Sequence, residues 1–336
     1  MTPESRAPAR LAIIGLGRIA DAQLQALTFS KGWQLVGAAD IDRGRRALLP
    51  APVPFFPSAA ALLDGVDADL VLVATPTPTH FALGCEVLSS GHDLLLEKPC
   101  CASASEFETL AELAQRHGRF FHVALHALHA RDLHWYLDHR AALFPEAPDH
   151  VHCRFFDPYV DSGRLLPHAL ALGGSWQDSG INALAVVAKL LGDAQLGYAQ
   201  LTLERSSRGA AVDGADDLHA RVELAASGSA STRVTIETSW LHGLDSKTTA
   251  LACSRNGTTV LLDHSGERVR VTRGGVVEQV VALGNGRPRL VNHYIGVLAE
   301  AREALARRRP NTAFARDIHR LLFAAAGAAH RGNPWH

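Results

Sequence analysis

The stretch LAIIGLGRIA, Leu11 to Ala20, joins a short apolar run to a helical pattern through a glycine-rich turn. A G-x-G-x-x-A turn in this position is typical of a dinucleotide-binding βαβ unit. Gly15 allows the tight turn, Gly17 lets backbone approach a pyrophosphate, and small Ala20 permits close packing of the helix. Taken alone the match is weak, because a purely structural tight turn can have the same residues.

A carboxylate further along the chain strengthens the nucleotide interpretation. Asp40 ends the next predicted strand, where it would accept hydrogen bonds from an adenosine ribose. Its negative charge would repel a 2′-phosphate, so NAD is expected in preference to NADP. Arg43 and Arg45 lie close by in sequence and leave NADP open.

Short apolar runs such as ADLVLVAT (68–75) alternate with helical patterns through the first 125 residues. Continuous hydrophobic strands separated by amphipathic helices predict a parallel sheet covered on both faces. From QLTLERS (200–206) to VVEQVVAL (276–283) most segments alternate polar and apolar residues, which predicts an antiparallel sheet with one buried face. Asn256-Gly257 predicts a hairpin between two of these strands. We therefore expect two domains, residues 1–125 and 126–336.

Composition limits the classes of function. The chain has 336 residues, 47% of them hydrophobic, with 33 basic against 34 acidic side chains, so it shows no charge footprint for nucleic acid or an anionic membrane. It lacks a secretory signal pattern and any apolar run near the roughly 20 residues that span a bilayer, so a cytoplasmic location is expected. Its five cysteines lack C-x-x-C spacing, and we interpret them as reduced thiols.

The stretch GGSWQDSGINALAVV, Gly173 to Val187, places Asp178 and Asn182 four residues apart on one face of a predicted helix start. One interpretation is capping, in which Asp178 or Ser179 accepts hydrogen bonds from backbone N–H groups of the first turn. The other is that the pair faces a substrate. The stretch alone favours capping, because such helix starts are common.

Three further motifs bear on the function: A-T-P-T-P-T-H (Ala74 to His80), E-K-P (Glu97 to Pro99) and D-S-G-I-N (Asp178 to Asn182). With the glycine turn, they resemble the glucose-fructose oxidoreductase, inositol dehydrogenase and MocA (Gfo/Idh/MocA) family of sugar and polyol oxidoreductases. The resemblance implies an α/β fold with an N-terminal Rossmann domain and a C-terminal α+β domain. That second domain would have a large, open, mostly antiparallel sheet, and would bind substrate and mediate oligomers.

The resemblance also implies site residues. Lys98 would lie near the nicotinamide and the reacting hydroxyl, and Pro99 would follow a cis peptide bond. Expected catalytic residues are Lys98, Asp178 and Asn182, and the expected substrate-binding residues are these three with His126. Expected cofactor-binding residues are Gly15, Gly17, Arg18, Ile19, Ala20, Asp40, Thr75, Pro76, His80, Glu97 and Lys98.

The chain departs from the usual family pattern D-x-G-x-H, because Asn182 stands where a histidine acid/base is expected. An amide cannot accept a proton at neutral pH, whereas an imidazole can. The aldose 1-dehydrogenases that act on D-galactose or L-arabinose share G-I-N-A-L and a histidine at the place of His126. Their tryptophan-rich loop is absent from residues 158–174, which leaves the substrate open.

The chemistry of such a reaction needs a base for the hydroxyl proton while hydride leaves carbon. Asp178 can accept the proton with Lys98 holding the hydroxyl, and the assignment between these two stays open. Glu97 would fix backbone or cofactor geometry, with a plain salt bridge as an equal alternative. His126, His129 and His134 suggest a metal. His126 and His129 could share a helix face, but the sequence places no third ligand beside this pair, so no metal is expected.

We expect an NAD(P)-dependent oxidoreductase of a sugar or cyclic polyol, acting on a CH–OH group. A ketoreductase in sugar biosynthesis, a glycoside-processing enzyme with transient oxidation, and a non-catalytic NAD(P)-binding sensor remain alternatives. The expected partners are a small-molecule substrate and further copies of the chain in a homodimer or homotetramer, without nucleic acid or membrane.

Overall fold

The computed structural model describes residues 7–144, 147–192, 195–202, 218–227 and 232–331. The chain divides into two compact units, which we call the first unit (residues 1–126 and 290–319) and the second unit (residues 127–289 and 320–336). Residues 290–319 thus pack with the N-terminal part of the chain. The change of sequence pattern near residue 125 does not reveal this return.

A parallel sheet forms the centre of the first unit. Its strands are β1 (Ala9–Ile14), β2 (Trp33–Ala39), β3 (Phe55–Phe56), β4 (Leu70–Val73), β5 (Leu94–Glu97) and β6 (Phe121–Ala124). They lie in the order β3-β2-β1-β4-β5-β6. Every residue of β4, β5 and β6 is buried, as expected of a sheet covered on both faces.

Helices cover both faces of this sheet, and their bounds are α1 (Ala20–Phe29), α2 (Ala59–Gly65), α3 (His80–Ser89), α4 (Ala104–Arg116) and α7 (Arg289–Arg307). Residues of α1 and α7 share one apolar cluster with Leu11, Leu72 and Leu95. On the other face Gly84 of α3 lies against Leu110 of α4 and the strand residues Leu94 and Leu96. This strand order is that of the Rossmann fold, which binds dinucleotides where the order reverses, beyond the carboxyl ends of β1 and β4.

The second unit contains an eight-stranded sheet. Its strands are β7 (His150–Phe156), β10 (Gln195–Thr202), β11 (His219–Ser227), β12 (Thr232–Ser239), β13 (Ser246–Cys253), β14 (Thr258–Asp263), β15 (Arg268–Arg273) and β16 (Val276–Ala282). They lie in the order β10-β11-β12-β7-β13-β14-β15-β16, and every neighbouring pair is antiparallel except β12 with β7. The mostly antiparallel sheet is therefore confirmed.

Alternating burial fixes the faces of this sheet. Residues of β13 and β14 alternate between buried and half-buried, as their period-two sequences predict. The hairpin predicted at Asn256-Gly257 joins these strands, with Gly257 at φ +66° and Asn256 Oδ1 accepting from the Thr258 N–H at 3.0 Å. Residues 203–206, 217 and 231 of the predicted strands lie outside the described residues.

Helices α5 (Arg131–Leu143) and α6 (Ile181–Leu191) pack on the sheet of the second unit. A small hairpin of β8 (Val160–Asp161) and β9 (Arg164–Leu165) precedes α6, and α8 (Thr312–Arg331) ends the described chain. Among the described helices, none combines the length and apolarity that crossing a membrane would require.

Candidate functional site

The glycine turn after β1 has the geometry that its sequence predicts. Gly15 has φ +95°, and a Cβ there would lie 2.8 Å from the carbonyl carbon and oxygen of Ala74. A Cβ on Gly17 would meet nothing within 4 Å. Ala20 is fully buried at the start of α1, where a larger side chain would separate the helix from the sheet. Gly15 is therefore required by the protein itself, whereas Gly17 leaves open space beside the helix N-terminus.

This difference gives a matched pair of variants. We expect Gly15→Ala to lower the free energy of unfolding by about 1–3 kcal/mol, because alanine is strained at this φ and collides with Ala74. We expect Gly17→Ala to leave that free energy within about 0.5 kcal/mol of the parent. Its methyl group would instead occupy the approach of the pyrophosphate and weaken NAD binding about tenfold or more, which is about 1.4 kcal/mol. Denaturant unfolding and NAD titration by calorimetry measure the two quantities, and equal NAD affinity in Gly17→Ala and the parent would contradict the cofactor assignment.

Asp40 is held against the glycine turn by backbone. Its Oδ2 accepts from the Leu16 N–H at 2.7 Å, and its Oδ1 accepts from the Asp42 N–H at 2.8 Å. A carboxylate has about four acceptor positions, so these two bonds leave others for hydroxyl donors. Arg45 pairs with Asp42 at 3.4 Å, and Arg43 is exposed at the start of a 3-10 helix.

His80 ties the A-T-P-T-P-T-H segment to the E-K-P segment. Its Nδ1 lies 2.7 Å from the Pro99 carbonyl oxygen, and its Nε2 lies 2.7 Å from the Thr75 carbonyl oxygen. Burial lowers the pKa of His80 below its usual value, against the opposing effect of the two carbonyls. The imidazole thus holds the loops that follow β4 and β5 together. Pro76 and Thr75 lie in the first of these loops, at the switch point of the sheet.

Glu97, the last residue of β5, is buried and accepts hydrogen bonds from residues far away in sequence. Its Oε1 accepts from the Tyr294 hydroxyl at 2.6 Å and from the Gln23 amide at 3.0 Å. Its Oε2 accepts from the Lys98 backbone N–H at 3.3 Å. Burial raises the pKa of Glu97, and these donors oppose the rise. Burial and the adjacent Glu97 carboxylate raise the pKa of Tyr294 well above its usual value.

Lys98 follows this anchored glutamate and is half-buried, with a cis peptide bond between it and Pro99 as the resemblance implies. His126, at the end of the first unit, has its Nδ1 3.3 Å from His293 Nδ1 and its ring 5.8 Å from that of Tyr294. The first unit therefore connects the neighbourhood of Lys98 to His126 through Glu97, Tyr294 and His293. The sequence did not indicate Tyr294 or His293, because their helix lies almost 200 residues later.

Asp178 lies in the second unit, within a π-helical turn (Trp176–Gly180) that runs directly into α6. Single π-helical turns of this kind are frequent at functional sites. Neither this turn nor α6 has a side-chain hydrogen bond at its N-cap residue. Gly180 is fixed by packing, because a Cβ there would lie 2.6 Å from the Trp176 ring. Ser175 and Gly180 are thus not side-chain caps, and the capping role considered for Asp178 stays a prediction.

The Ser179 hydroxyl bonds to the side chain of Asp157, outside its own helix. Its Oγ donates to Asp157 Oδ2 at 2.6 Å, and the Trp240 indole N–H lies 3.4 Å from the same Oγ. Asp157 Oδ1 in turn accepts from Lys247 Nζ at 2.6 Å. All four side chains are buried, so this chain of contacts fixes the turn that carries Asp178. Sequence reasoning missed Asp157, which directly follows β7, and Lys247, which lies on β13, because neither belongs to a motif.

Asn182 is buried one turn after Asp178, and its Nδ2 donates to the Asp178 carbonyl oxygen at 3.4 Å. Its Oδ1 is also buried, and no described residue donates to it. A buried polar atom without a partner costs about 1–3 kcal/mol. The amide oxygen is therefore an acceptor whose donor the described residues do not supply.

The three histidines considered as metal ligands do not form a metal site. His126 lies against His293, and His134 Nε2 lies 3.0 Å from the Leu128 carbonyl oxygen. In the part of the chain that the structure describes, one group of three possible ligands lies close together, and none of these histidines belongs to it.

Comparison with known proteins gives a family match for the N-terminal part of the first unit. Residues 9–125 match the model of the GFO_IDH_MocA family, described as "Oxidoreductase family, NAD-binding Rossmann fold". These residues are therefore similar to the Gfo/Idh/MocA family. The resemblance seen in the sequence and the NAD-binding class of the domain are thereby confirmed, and the glycine turn, the switch point and Asp40 fit such a dinucleotide.

Curated relatives match over stretches of similar length. The "Rhizopine catabolism protein MocA" of Rhizobium meliloti is 29% identical over 109 residues, covering 32% of this chain and 34% of that protein. "Galactose 1-dehydrogenase" of Pseudomonas fluorescens is 35% identical over 99 residues, covering 29% and 31%. The matches thus span about a third of the length of these curated relatives.

A solved structure extends the likeness to the whole chain. An inositol dehydrogenase homolog from Azotobacter vinelandii, complexed with NADH and myo-inositol, has a TM-score of 0.76 at 18% identity and covers 97% of this chain and 96% of its own. At this identity the likeness shows the fold. The predicted combination of a Rossmann domain with a second, mostly antiparallel domain is therefore confirmed.

Proposed function

We propose that this protein is an NAD-dependent oxidoreductase that moves hydride between nicotinamide and the hydroxyl-bearing carbon of a sugar or cyclic polyol. The family match of residues 9–125 supports the redox chemistry. The observation that carries the substrate class is Asn182, whose buried Oδ1 receives no hydrogen bond from a described residue. A substrate rich in hydroxyl groups supplies donors of the kind that this oxygen lacks.

Each site residue has a distinct role in this proposal. Bound nicotinamide supplies the hydride acceptor for oxidation of the carbinol carbon. Asp178 takes the hydroxyl proton, Lys98 donates to the substrate oxygen and stabilises its developing negative charge, and Asn182 orients the substrate. His126 contributes a further polar contact to the sugar. The buried Asp157–Ser179 pair holds Asp178 in place, which matters because proton transfer requires hydrogen-bond distance.

We propose an aldose, oxidised at its anomeric carbon, as the first substrate to test. The G-I-N-A-L sequence at the start of α6 supports this choice, as does the likeness to a galactose 1-dehydrogenase. The loop of residues 158–174 forms the β8–β9 hairpin and a 3-10 helix (Pro167–Leu172) and contains no tryptophan, so its contacts with a sugar differ from those of aldose 1-dehydrogenases.

Absorbance of the reduced cofactor tests the proposal. Purified protein is incubated with NAD or NADP and a panel of aldoses and inositols. We expect steady formation of reduced cofactor with at least one aldose or inositol. Quenching of protein fluorescence by NAD without turnover on any compound would favour a non-catalytic dinucleotide sensor.

Cofactor preference gives a separate prediction. We expect NAD to be preferred, because the Asp40 carboxylate beside the glycine turn repels a 2′-phosphate. Asp40→Ser removes the charge while keeping a hydroxyl acceptor for the Leu16 N–H, and should shift the ratio of kcat/KM values toward NADP about tenfold, or about 1.4 kcal/mol. Asp42→Ser is the matched control, since Asp42 is exposed and its side chain caps the next 3-10 helix. A parent protein that already prefers NADP would contradict the assignment.

We also propose that the protein is a homodimer or homotetramer. On β16, the edge strand of the large sheet, Val276, Val277 and Val280 are each more than half exposed. Such apolar surface is typical of a face that another subunit covers. Light scattering at micromolar concentration should give a multiple of the chain mass, and a mass near 36.0 kDa would contradict the assembly. The cytoplasmic location and the absence of nucleic-acid partners stay predictions.

A further inference from the structure

Two adjacent cysteines and a histidine form a compact group of soft donor atoms inside the first unit. Cys100 Sγ lies 3.8 Å from Cys101 Sγ and 3.3 Å from His319 Nε2. All three donor atoms lie within 4.8 Å of one another. No other group of three such ligands was found among the described residues. The proposed oxidoreductase chemistry uses none of these side chains.

The spacing of the donors matches the coordination sphere of one zinc ion. Bond lengths of about 2.3 Å to sulfur and about 2.0 Å to nitrogen, in a tetrahedral arrangement, place two sulfurs about 3.8 Å apart and a sulfur and a nitrogen about 3.5 Å apart. The observed separations of 3.8 Å and 3.3 Å agree with these values to within a few tenths of an ångström. The third separation, from Cys101 Sγ to His319 Nε2, is within 4.8 Å, and an ion would set it at about 3.5 Å.

The histidine has the tautomer that a metal ligand needs. His319 Nδ1 lies 2.7 Å from the Ala315 carbonyl oxygen, so the ring proton is on Nδ1. Nε2 is then an acceptor, and the Cys100 backbone N–H lies 3.2 Å from it. A hydrogen bond from the second ring nitrogen to a carbonyl is the usual way in which proteins orient a metal-binding histidine. Metal binding would exchange the hydrogen bonds at Nε2 for one coordinate bond.

Burial and charge select the kind of ion. Cys100, Cys101 and His319 are each at most 1% exposed, so an uncompensated charge there would be costly. A divalent ion with two thiolates and a neutral imidazole has no net charge. The Ser103 carbonyl oxygen lies 3.3 Å from Cys101 Sγ and accepts a hydrogen bond from its S–H. Soft sulfur and imidazole donors favour zinc over magnesium or calcium.

We propose that Cys100, Cys101 and His319 bind one zinc ion that fastens the segment after Lys98-Pro99 to helix α8. On binding, the two S–H bonds break, two zinc–sulfur bonds form, and the two protons pass to solvent. Cys100 and His319 are 219 positions apart in sequence. Because only the folded chain brings them together, zinc stabilises the first unit by binding the native state. The role is structural, since the donors are closed off from solvent.

The experiment uses the full chain, reduced and stripped of metal with a chelator. Cadmium is titrated while the ultraviolet cadmium–thiolate charge-transfer band is recorded, and zinc is then added as competitor. We expect saturation at one cadmium per chain, displacement by zinc, and a higher unfolding temperature with zinc. Cys85→Ser, a half-buried cysteine of α3, should keep the band, whereas Cys100→Ser and Cys101→Ser should lose it. His319→Gln should weaken binding about tenfold or more.

X-ray absorption of the zinc-loaded parent protein gives an answer that does not depend on the variants folding. We expect two sulfur neighbours and a nitrogen neighbour of imidazole type. Absence of the charge-transfer band in the parent, or its persistence in Cys100→Ser, would overturn the proposal. In that case the group is a hydrogen-bonded thiol cluster. Neither result depends on turnover, so the outcome is independent of the proposed oxidoreductase activity.

Discussion

Asp178→Asn is expected to lower kcat by about 10²–10⁴-fold, the usual contribution of a general base. The amide keeps the size of the carboxylate but cannot take the substrate proton. Affinity for NAD should change little, because the glycine turn and Asp40 that we assign to the cofactor are unaltered. Steady-state kinetics on a substrate found in the aldose and inositol panel, with NAD titration alongside, measures both quantities.

Two further variants separate proton transfer from other effects. Asp138→Asn, on the exposed face of α5, should have the activity of the parent and controls for loss of one negative charge. Asn182→Ala should raise KM with little change in kcat, as expected when an interaction shared by substrate and transition state is lost. If Asp178→Asn stays nearly fully active while melting several degrees lower, Asp178 has a structural role and the assignment fails.

Lys98→Met is expected to lower kcat/KM by about 10²–10³-fold, comparable to the loss of one donor that stabilises a developing oxyanion. Methionine keeps the length of the side chain and removes its charge and its three donors. The backbone N–H of residue 98 remains, so its hydrogen bond to Glu97 should persist. The effect should therefore appear in turnover rather than in folding stability.

Lys31→Met provides the control, because Lys31 is exposed in the same unit and belongs to no motif. It should leave both kinetics and melting unchanged. A Lys98→Met protein with normal kcat and only a raised KM would mean that Lys98 binds substrate without stabilising the transition state. Asp178 would then be the remaining candidate for the chemistry.

The Rossmann half could be predicted from the sequence because its central strands are buried on both faces and appear as continuous apolar runs. Strand β3, with two residues, is too short to give such a signal. The packing of α7 on the same sheet could not be predicted either. The pattern of an amphipathic helix shows which face is buried, but not which sheet that face covers.

Site residues that belong to a local motif could be predicted from the sequence. Site residues that are brought together only by long-range contacts were missed. Gly15 and Asp40 follow from spacing along the chain, and Lys98 follows from the resemblance of the E-K-P motif. The Tyr294–Glu97 bond joins residues 197 positions apart, and Asp157 meets Ser179 only because β7 lies beneath the π-helical turn. In the D-S-G-I-N stretch, Ser179 likewise finds its partner, Asp157, on another element. Likewise, His319 completes the group at Cys100 and Cys101 from a distant helix.

Transfer of an isotope label tests the central claim most directly. A substrate that passes the panel is prepared with deuterium on the carbon bearing the reacting hydroxyl, and the reduced cofactor is examined by mass spectrometry. The account predicts that the deuterium appears in the nicotinamide ring, and that Asp178→Asn slows its appearance in proportion to kcat. Reduced cofactor without deuterium, or no reduced cofactor with any aldose or inositol despite NAD binding, would contradict it.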